Sequence, residues 1–241
     1  MVLVHGFTGN PRATTPLDQR LHARGHTVEV VRLPGHGTTV RDMARTRYAD
    51  WRRTVEDAVD RMADRCDRVV VVGHSMGGTL SLDVASSRPD VVDGLVVING
   101  IVLNPTELLA RIAPFLQYVI PTVPRDAAGL PTDDIARPDV TEGAYPKVPA
   151  RAAQSLQDAL PRIRAQLLDL VQPMLVVTSP QDHTVDPRNG DAIVELAGSV
   201  DVTRVTATRS YHVPQIDWDR ELVEEAVESF VAQIHATAPT V

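Results

Sequence analysis

A run of four valines that leads directly into a glycine-flanked serine constrains the fold of this chain more than any other feature. The valines occupy positions 69–72, and the motif that follows is Gly73-His74-Ser75-Met76-Gly77. A continuous β-branched run is typical of a strand buried on both faces, and a helical pattern follows through positions 79–85. This order of strand, sharp turn and helix is the context that a nucleophile elbow requires, so we predict that Ser75 occupies a strained turn with its hydroxyl clear of the sheet. A purely structural turn is the alternative interpretation.

The rest of the chain alternates short apolar runs with longer helical patterns. The predicted strands are residues 2–4, 27–32, 68–72, 95–98, 174–178 and 201–206. The predicted helices are residues 15–24, 48–65, 76–87, 187–196 and 217–235. Such alternation predicts an α/β fold with a mostly parallel central sheet and helices on both faces. A length of 241 residues with 43% hydrophobic residues fits one domain.

The stretch from Gly100 to Pro173 interrupts this alternation. Eight of the 18 prolines lie between positions 101 and 150, and proline at that density excludes long helices there. Long irregular segments in compact domains are usually lids or binding loops. We therefore predict a cap, residues 101–172, inserted after the strand that ends near Asn99, with residues 1–100 and 173–241 as the core of a single domain. A mobile linker is the alternative.

A serine nucleophile needs a histidine base, and on an elbow of this type the acid and then the histidine follow later in the chain. His212 lies between the last predicted strand and the last predicted helix, where a loop can present it over the strand ends. His235 lies too near the C-terminus to be a good rival. We predict that His212 is the base.

The acid is expected at the end of the penultimate strand. Asp182 comes just after residues 174–178 and would orient the imidazole and stabilise its charged form. Asp186 is the alternative acid, but it precedes Pro187, a common helix start, and is predicted instead to cap that helix. His183 is predicted to shape the acid loop.

Acyl transfer also needs hydrogen-bond donors for the oxyanion. One is expected from the backbone N–H of Met76, the residue after the nucleophile, and the second from the first loop, at Phe7. A structural glycine turn is the alternative for that loop. The turn Pro34-Gly35-His36-Gly37 is predicted to be a structural loop near the site.

Composition excludes several classes of partner. A net charge of −7 disfavours nucleic acid and anionic membranes. Cys66 is the only cysteine, so an intrachain disulfide is impossible. We see no signal peptide and no membrane-spanning run, so a cytoplasmic protein without stable membrane insertion is expected. The chemistry requires neither a metal nor an organic cofactor.

These motifs together resemble a known family. The shared features, in chain order, are His5-Gly6-Phe7-Thr8-Gly9, Pro34-Gly35-His36-Gly37, Asp50-Trp51, the elbow at Ser75, Asp182-His183 and the His212 loop. They resemble the bacterial carboxylesterases and monoacylglycerol lipases of the α/β-hydrolase superfamily. The resemblance implies Ser75, Asp182 and His212 as the triad, with Phe7 and Met76 as oxyanion donors. Family members usually carry further strands before the His-Gly motif, and we expect those to be absent from this sequence.

The resemblance implies hydrolysis of short- to medium-chain acyl esters, with monoacylglycerols among the candidate substrates. Apolar cap residues would either enclose the acyl chain or pack the cap onto the core. The candidates are Leu108, Phe115, Leu116, Val119 and Ile120. Thioesterases, amidases and C–C hydrolases use the same scaffold, and a non-catalytic receptor for a small ligand is a further alternative.

Overall fold

Eight strands form two sheets in the computed structural model, which describes residues 1–104, 121–131 and 133–236. The strands are β1 Val2–Val4, β2 Glu29–Val31, β3 Val70–His74, β4 Gly94–Ile98, β5 Thr122–Pro124, β6 Lys147–Pro149, β7 Met174–Thr178 and β8 Val202–Thr206. The large sheet has six parallel strands in the order β2-β1-β3-β4-β7-β8. The sequence predicted all six, with ends that differ by at most two residues. The carboxyl ends of β3, β4 and β7 therefore lie side by side, where parallel sheets carry their sites.

Helices cover both faces of this sheet. They are α1 Thr15–Ala23, α2 Val40–Met43, α3 Tyr48–Ala63, α4 Met76–Ser87, α5 Ala150–Gln166, α6 Arg188–Leu196 and α7 Arg220–Ala236. Successive side chains of a strand point to opposite faces. Val71 accordingly packs in a core with residues of α3, α4, α5 and α6, whereas Val70 and Val72 pack in a second core with residues of α1 and α7. The fold is the predicted α/β-hydrolase fold.

The last helix starts later than predicted. Helix α7 begins at Arg220 rather than at position 217. The carboxylate of Asp217 instead accepts the N–H groups of Ala136, Arg137 and Tyr211. Because Asp217 makes these contacts, it lies outside the helix, which begins three residues later.

Helix α5 was not predicted. The density of prolines made residues 100–173 appear irregular. The 17 residues from Ala150 to Gln166 nevertheless contain good helix formers and follow directly after Pro149. Pro161 lies inside the helix and removes one backbone hydrogen bond, to the carbonyl of Gln157. Asn104 Nδ2 donates to that carbonyl at 3.3 Å and replaces the missing bond. Sequence pattern alone does not reveal such a partner.

The described residues between 121 and 149 contain no long helix, in agreement with the proline argument. Strands β5 and β6 form an antiparallel pair there, and residues 126–128 form one 3₁₀ turn. This strand pair was not predicted either. The division of the chain into a core and a cap at residues 101–172 stays a proposal.

Helix α5 is attached to the core through a buried aspartate. Asp83 on α4 is fully buried and accepts hydrogen bonds from both terminal nitrogens of Arg162, at 2.8 and 2.6 Å. The Tyr48 hydroxyl donates to the same carboxylate at 2.8 Å, and Arg52 Nε lies 3.1 Å from it. Burial opposes ionisation, but Arg162 and Tyr48 outweigh it, so the pKa of Asp83 is lowered.

We expect Asp83→Asn to lower the free energy of unfolding at neutral pH by about 3 kcal/mol, because the change breaks a buried ion pair. A lowered pKa stabilises the fold above the pKa of the unfolded carboxyl, about 3.9, and this contribution disappears as the pH falls through the folded pKa. The difference between wild type and variant should therefore shrink in acid. Urea unfolding at several pH values measures it.

Asp60→Asn is the matched control for this prediction. Asp60 pairs with Arg88 but its side chain is 52% exposed, so its removal should change the free energy of unfolding by less than about 1 kcal/mol. Equal losses for the two variants would contradict the assignment of Asp83.

No helix among the described residues is both long enough and apolar enough to cross a membrane.

Candidate active site

Ser75 occupies a strained turn between β3 and α4. Its φ is +55°, a value that non-glycine residues adopt rarely and at an energetic cost. Its N–H donates to the carbonyl of Ile98 at 2.9 Å. A Cβ on Gly73 would lie 2.3 Å from the Gly77 oxygen, and one on Gly77 would lie 2.2 Å from the Val4 oxygen. Both flanking glycines are therefore needed for the close approach of helix and strands, as the elbow motif predicts.

Asp182 and His212 are hydrogen-bonded. His212 Nδ1 and Asp182 Oδ2 are 2.7 Å apart, and both side chains are buried. The other carboxylate oxygen, Oδ1, accepts the N–H groups of Thr184 at 2.8 Å and Val185 at 2.7 Å. Because Oδ1 is held by two donors, Oδ2 faces the imidazole. The bond requires that Nδ1 carries the proton, which leaves Nε2 of a neutral His212 free to accept one.

The main chain of His212 is held from two sides. Its carbonyl oxygen accepts from His74 Nε2 and from Asn99 Nδ2, each at 2.9 Å. Its N–H donates to the carbonyl of Asp134 at 2.9 Å. The rings of His74 and His212 lie 4.7 Å apart, centroid to centroid. Since His74 immediately precedes Ser75, these contacts place the predicted base beside the elbow.

His74 itself is neutral. Burial, and then the nearby charge of His212, lower its pKa well below the usual value. A carbonyl only accepts hydrogen bonds, so the proton of the His74 ring is on Nε2. His74 therefore donates to the base loop without carrying charge.

The loop that contains Phe7 lies against the elbow. A Cβ on Gly6 would be 3.1 Å from Ser75 Cβ, so only glycine allows this approach without a shift. Thr8 has a φ of +61°, unusual for a β-branched residue, and its side-chain oxygen lies 2.5 Å from Arg125 Nη1. Its carbonyl accepts from the N–H of Tyr145 at 3.0 Å. Residues 121–149 thus help to hold the predicted oxyanion loop.

The Pro34 to Gly37 turn has contacts that support the neighbouring loop. His36 is buried and its Nδ1 lies 3.1 Å from the Pro34 carbonyl. Burial lowers the pKa of His36 to about 4, so it is neutral near pH 7. Trp51 Nε1 donates to the same Pro34 carbonyl at 3.1 Å, and the Trp51 ring packs edge-on against Phe7.

The two aspartates near the end of β7 have different partners. Asp182 binds His212, whereas Asp186 accepts the N–H of Arg188 at 2.9 Å and also pairs with its guanidinium. Asp186 thus contributes to the start of α6, which begins at Arg188 rather than at Pro187. His183, which is predicted to shape the acid loop, bonds to Asp134 from that loop.

Sequence reasoning missed two buried carboxylates that act on this site, Asp134 and Glu142. Asp134 is buried; one carboxylate oxygen accepts the His183 N–H at 2.8 Å, and the other lies 2.8 Å from His183 Nδ1. Glu142 is also buried, and burial raises its pKa. Both negative charges favour a charged His212. The two adjacent aspartates at positions 133–134 can be seen in the sequence, but nothing there indicates which loop they would contact.

The predicted acyl-binding residues Leu108, Phe115, Leu116, Val119 and Ile120 lie outside the described residues. Within the described ranges, no group of three or more His, Cys, Asp or Glu side chains is placed to hold a metal ion.

The pH dependence of activity should report the environment of His212. Burial opposes the imidazolium, but the charge and hydrogen bond of Asp182, together with Glu142 and Asp134, outweigh it and raise the pKa. A base must be neutral to accept a proton, so kcat/KM should fall as the pH drops through a midpoint above about 6.5. We expect Glu142→Gln to move that midpoint down, because it removes a negative charge near the ring. Esterase assays across pH measure both midpoints.

Asp139→Asn is the control, since Asp139 is an exposed carboxylate three positions before Glu142 and is paired with Arg137. It should leave the midpoint where it is. A wild-type midpoint below 6.5, or one that Glu142→Gln does not move, would refute this account of the base.

Comparison with known proteins identifies the family of this chain. Residues 1–225 match the model of a family described as "Alpha/beta hydrolase family". The chain is 36% identical to a protein of Bacillus sp. (strain H-257) named "Thermostable monoacylglycerol lipase", over 97% of this chain and 90% of that protein. It is 23% identical to a Bacillus subtilis (strain 168) protein named "Carboxylesterase", over 97% of this chain and 92% of that one.

A solved structure of similar shape points the same way. It is described under "LipS and LipT, two metagenome-derived lipolytic enzymes", and it superposes with a TM-score of 0.90 and 31% identity. The match covers 96% of this chain and 92% of the other. The chain therefore belongs to the alpha/beta hydrolase family, as an enzyme of its lipase and esterase type.

Proposed function

We propose that this protein hydrolyses carboxylic esters through a Ser75-His212-Asp182 triad and an acyl-enzyme. The observation that carries the proposal is the 2.7 Å bond between Asp182 and His212, in a loop that is bonded to the neighbour of Ser75. This bond keeps the proton of a neutral His212 on Nδ1, so Nε2 can act as the base beside a serine on a strained turn. No metal or organic cofactor takes part in the steps below.

In the first half-reaction, Ser75 Oγ attacks the ester carbonyl carbon while His212 Nε2 takes the hydroxyl proton. The carbonyl electron pair moves to oxygen and gives a tetrahedral oxyanion. When this intermediate collapses, the C–O bond to the alcohol breaks and His212 returns its proton to the leaving alkoxide. The products are a free alcohol and an acyl group on Ser75.

In the second half-reaction, water attacks the acyl-enzyme. His212 Nε2 accepts a proton from the water, and a second tetrahedral intermediate forms. Its collapse releases the carboxylic acid, and the proton on His212 returns to Ser75 Oγ. Asp182 stays ionised throughout and stabilises the imidazolium that forms in each half-reaction.

The oxyanion donors in this proposal are the backbone N–H groups of Met76 and Phe7. Met76 is the first residue of α4, where N–H groups lack intrahelical partners and the helix dipole favours negative charge. The close approach of Gly6 to Ser75 supports the assignment of Phe7. Two fixed donors in a water-poor site would stabilise the developing charge.

The proposed substrates are short- to medium-chain acyl esters, with monoacylglycerols among them. The names of the two Bacillus relatives support this class. Two buried polar side chains support a site that is not purely apolar: Arg125, which bonds to Thr8, and Glu142, whose charge acts on His212. A substrate with a polar alcohol and an apolar acyl group is compatible with such a lining.

A panel of p-nitrophenyl acyl esters tests the substrate class. We expect kcat/KM to be highest for chains of short to medium length and to fall for long chains, as the likeness to carboxylesterases and monoacylglycerol lipases implies. A monoacylglycerol, a thioester and an anilide of the preferred acyl group identify the bond. Preference for long chains alone, or faster turnover of the thioester or anilide, would refute the proposal. Saturable binding without turnover would support the receptor alternative instead.

A further inference from the structure

Asn99, the residue directly after β4, has a backbone conformation that needs an explanation. It is buried, and its φ of +46° lies in the left-handed region, which favours glycine and, among other residues, asparagine. Strained conformations of this kind persist where the surrounding structure requires them. Its backbone N–H donates to the Val177 carbonyl on β7 at 2.9 Å, so its side chain projects from the sheet edge between the acid and base loops.

The side-chain amide of Asn99 contacts both of these loops. Its Oδ1 accepts the N–H of Ser179 at 2.8 Å, and its Nδ2 donates to Ser179 Oγ at 3.0 Å. The same Nδ2 donates to the carbonyl of His212 at 2.9 Å. Ser179 lies three positions before Asp182. Its backbone N–H can only donate, so the atom of the Asn99 amide that faces it must be the oxygen.

We propose that Asn99 is a positioning residue for the triad: its buried amide connects the loop that carries Asp182 to the loop that carries His212. The inference rests on the proposed function. The Asp182–His212 bond joins two loops that come from different strands, and its length depends on their separation. Asn99 fixes that separation from the side of the sheet, and His74 shares the same carbonyl acceptor.

The chemistry explains why asparagine occupies this position. The asparagine amide has an oxygen that accepts the Ser179 N–H and a nitrogen that donates to the His212 carbonyl. An ionised aspartate has the same shape but has no hydrogen to donate to the His212 carbonyl. Glycine tolerates the positive φ but contacts neither loop.

Kinetics of Asn99→Gly and Asn99→Asp test the proposal. A base displaced by a fraction of an ångström loses its alignment with Ser75, so we expect kcat to fall by about tenfold to hundredfold in both variants. KM should stay within about twofold, because Asn99 acts through His212 and not through the substrate. For Asn99→Gly, the acid limb of the kcat/KM profile should move to lower pH, since a looser Asp182–His212 bond raises the pKa of His212 less.

Gln172→Ala is the matched control. Gln172 also has a buried amide; its Oε1 accepts the N–H of Val171 and its Nε2 donates to the carbonyl of Ala85, before the start of β7 and so at the opposite end of that strand from Asp182. We expect it to lower the melting temperature while kcat, KM and the acid limb stay unchanged. If Asn99→Gly does not fold, Asn99→Asp alone decides the kinetic arm. An unchanged kcat in the Asn99 variants that fold would overturn the proposal. An unchanged acid limb in Asn99→Gly, or a loss confined to KM, would also overturn it.

A second readout needs no substrate. The short hydrogen bond from His212 Nδ1–H to Asp182 should give a low-field proton resonance in the NMR spectrum of the resting enzyme. We expect that resonance to shift upfield or broaden in the Asn99 variants and to stay in place in Gln172→Ala. An unmoved resonance in the Asn99 variants would overturn the positioning role. A wild-type enzyme with this resonance but without turnover would instead refute the proposed function, so the two failures are distinguishable.

Discussion

Ser75→Ala is expected to reduce the kcat of ester hydrolysis below about a thousandth of the wild-type value, because the attacking oxygen is removed and only oxyanion stabilisation and binding remain. Substrate binding should persist, so KM should change far less than kcat. Purified protein and a p-nitrophenyl ester of the preferred acyl group give both values.

Ser86→Ala is the control for this variant. Ser86 lies on the same helix as Met76, and its hydroxyl donates to the carbonyl of Asp83 at 3.0 Å, away from the elbow. It should retain wild-type kcat and KM. Turnover by Ser75→Ala above a thousandth of wild type would show that another group attacks the ester.

Asp182→Asn is expected to reduce kcat by about 10³- to 10⁴-fold. Two backbone N–H groups bind Oδ1 and require an acceptor there, so the new amide nitrogen must occupy the position of Oδ2. An N–H donor would then face His212 Nδ1, which forces the imidazole proton onto Nε2. In that tautomer His212 cannot accept the proton of Ser75. Steady-state kinetics at a pH above the acid limb measures the loss.

Asp186→Asn separates the two aspartates that the sequence offers as the acid. Asp186 pairs with Arg188 at the start of α6 and is 44% exposed, so its loss should affect stability slightly and kcat by less than about twofold. A larger loss in kcat for Asp186→Asn than for Asp182→Asn would reverse the assignment.

The central sheet could be predicted because its residues carry local signals. The valines before Gly73 indicate a buried strand without knowledge of any partner, and the glycines around Ser75 indicate a turn. Strand β3 nevertheless extends through His74, because it pairs with β4 as far as Ile98. The ends of elements depend on such pairings and are therefore less predictable than their existence.

Helix α5 and the contacts that support the site could not be predicted in the same way. Pro161 argues against a helix locally, and the compensation comes from Asn104, 53 positions earlier than Gln157. Asn99 meets Ser179 across 80 positions of sequence, and Asp134 meets His183 across 49. Single polar residues that find partners at such distances leave no periodic pattern, so the site's supporting residues emerge only from the fold.

Covalent labelling of Ser75 tests the central claim most directly. A fluorophosphonate should react with the wild-type protein at one site, and peptide mass spectrometry should place the adduct on Ser75. Labelling should be absent in Ser75→Ala and much slower in Asp182→Asn, because the attack requires a correctly protonated His212. An adduct on another serine, or no adduct in an enzyme that hydrolyses esters, would contradict the account.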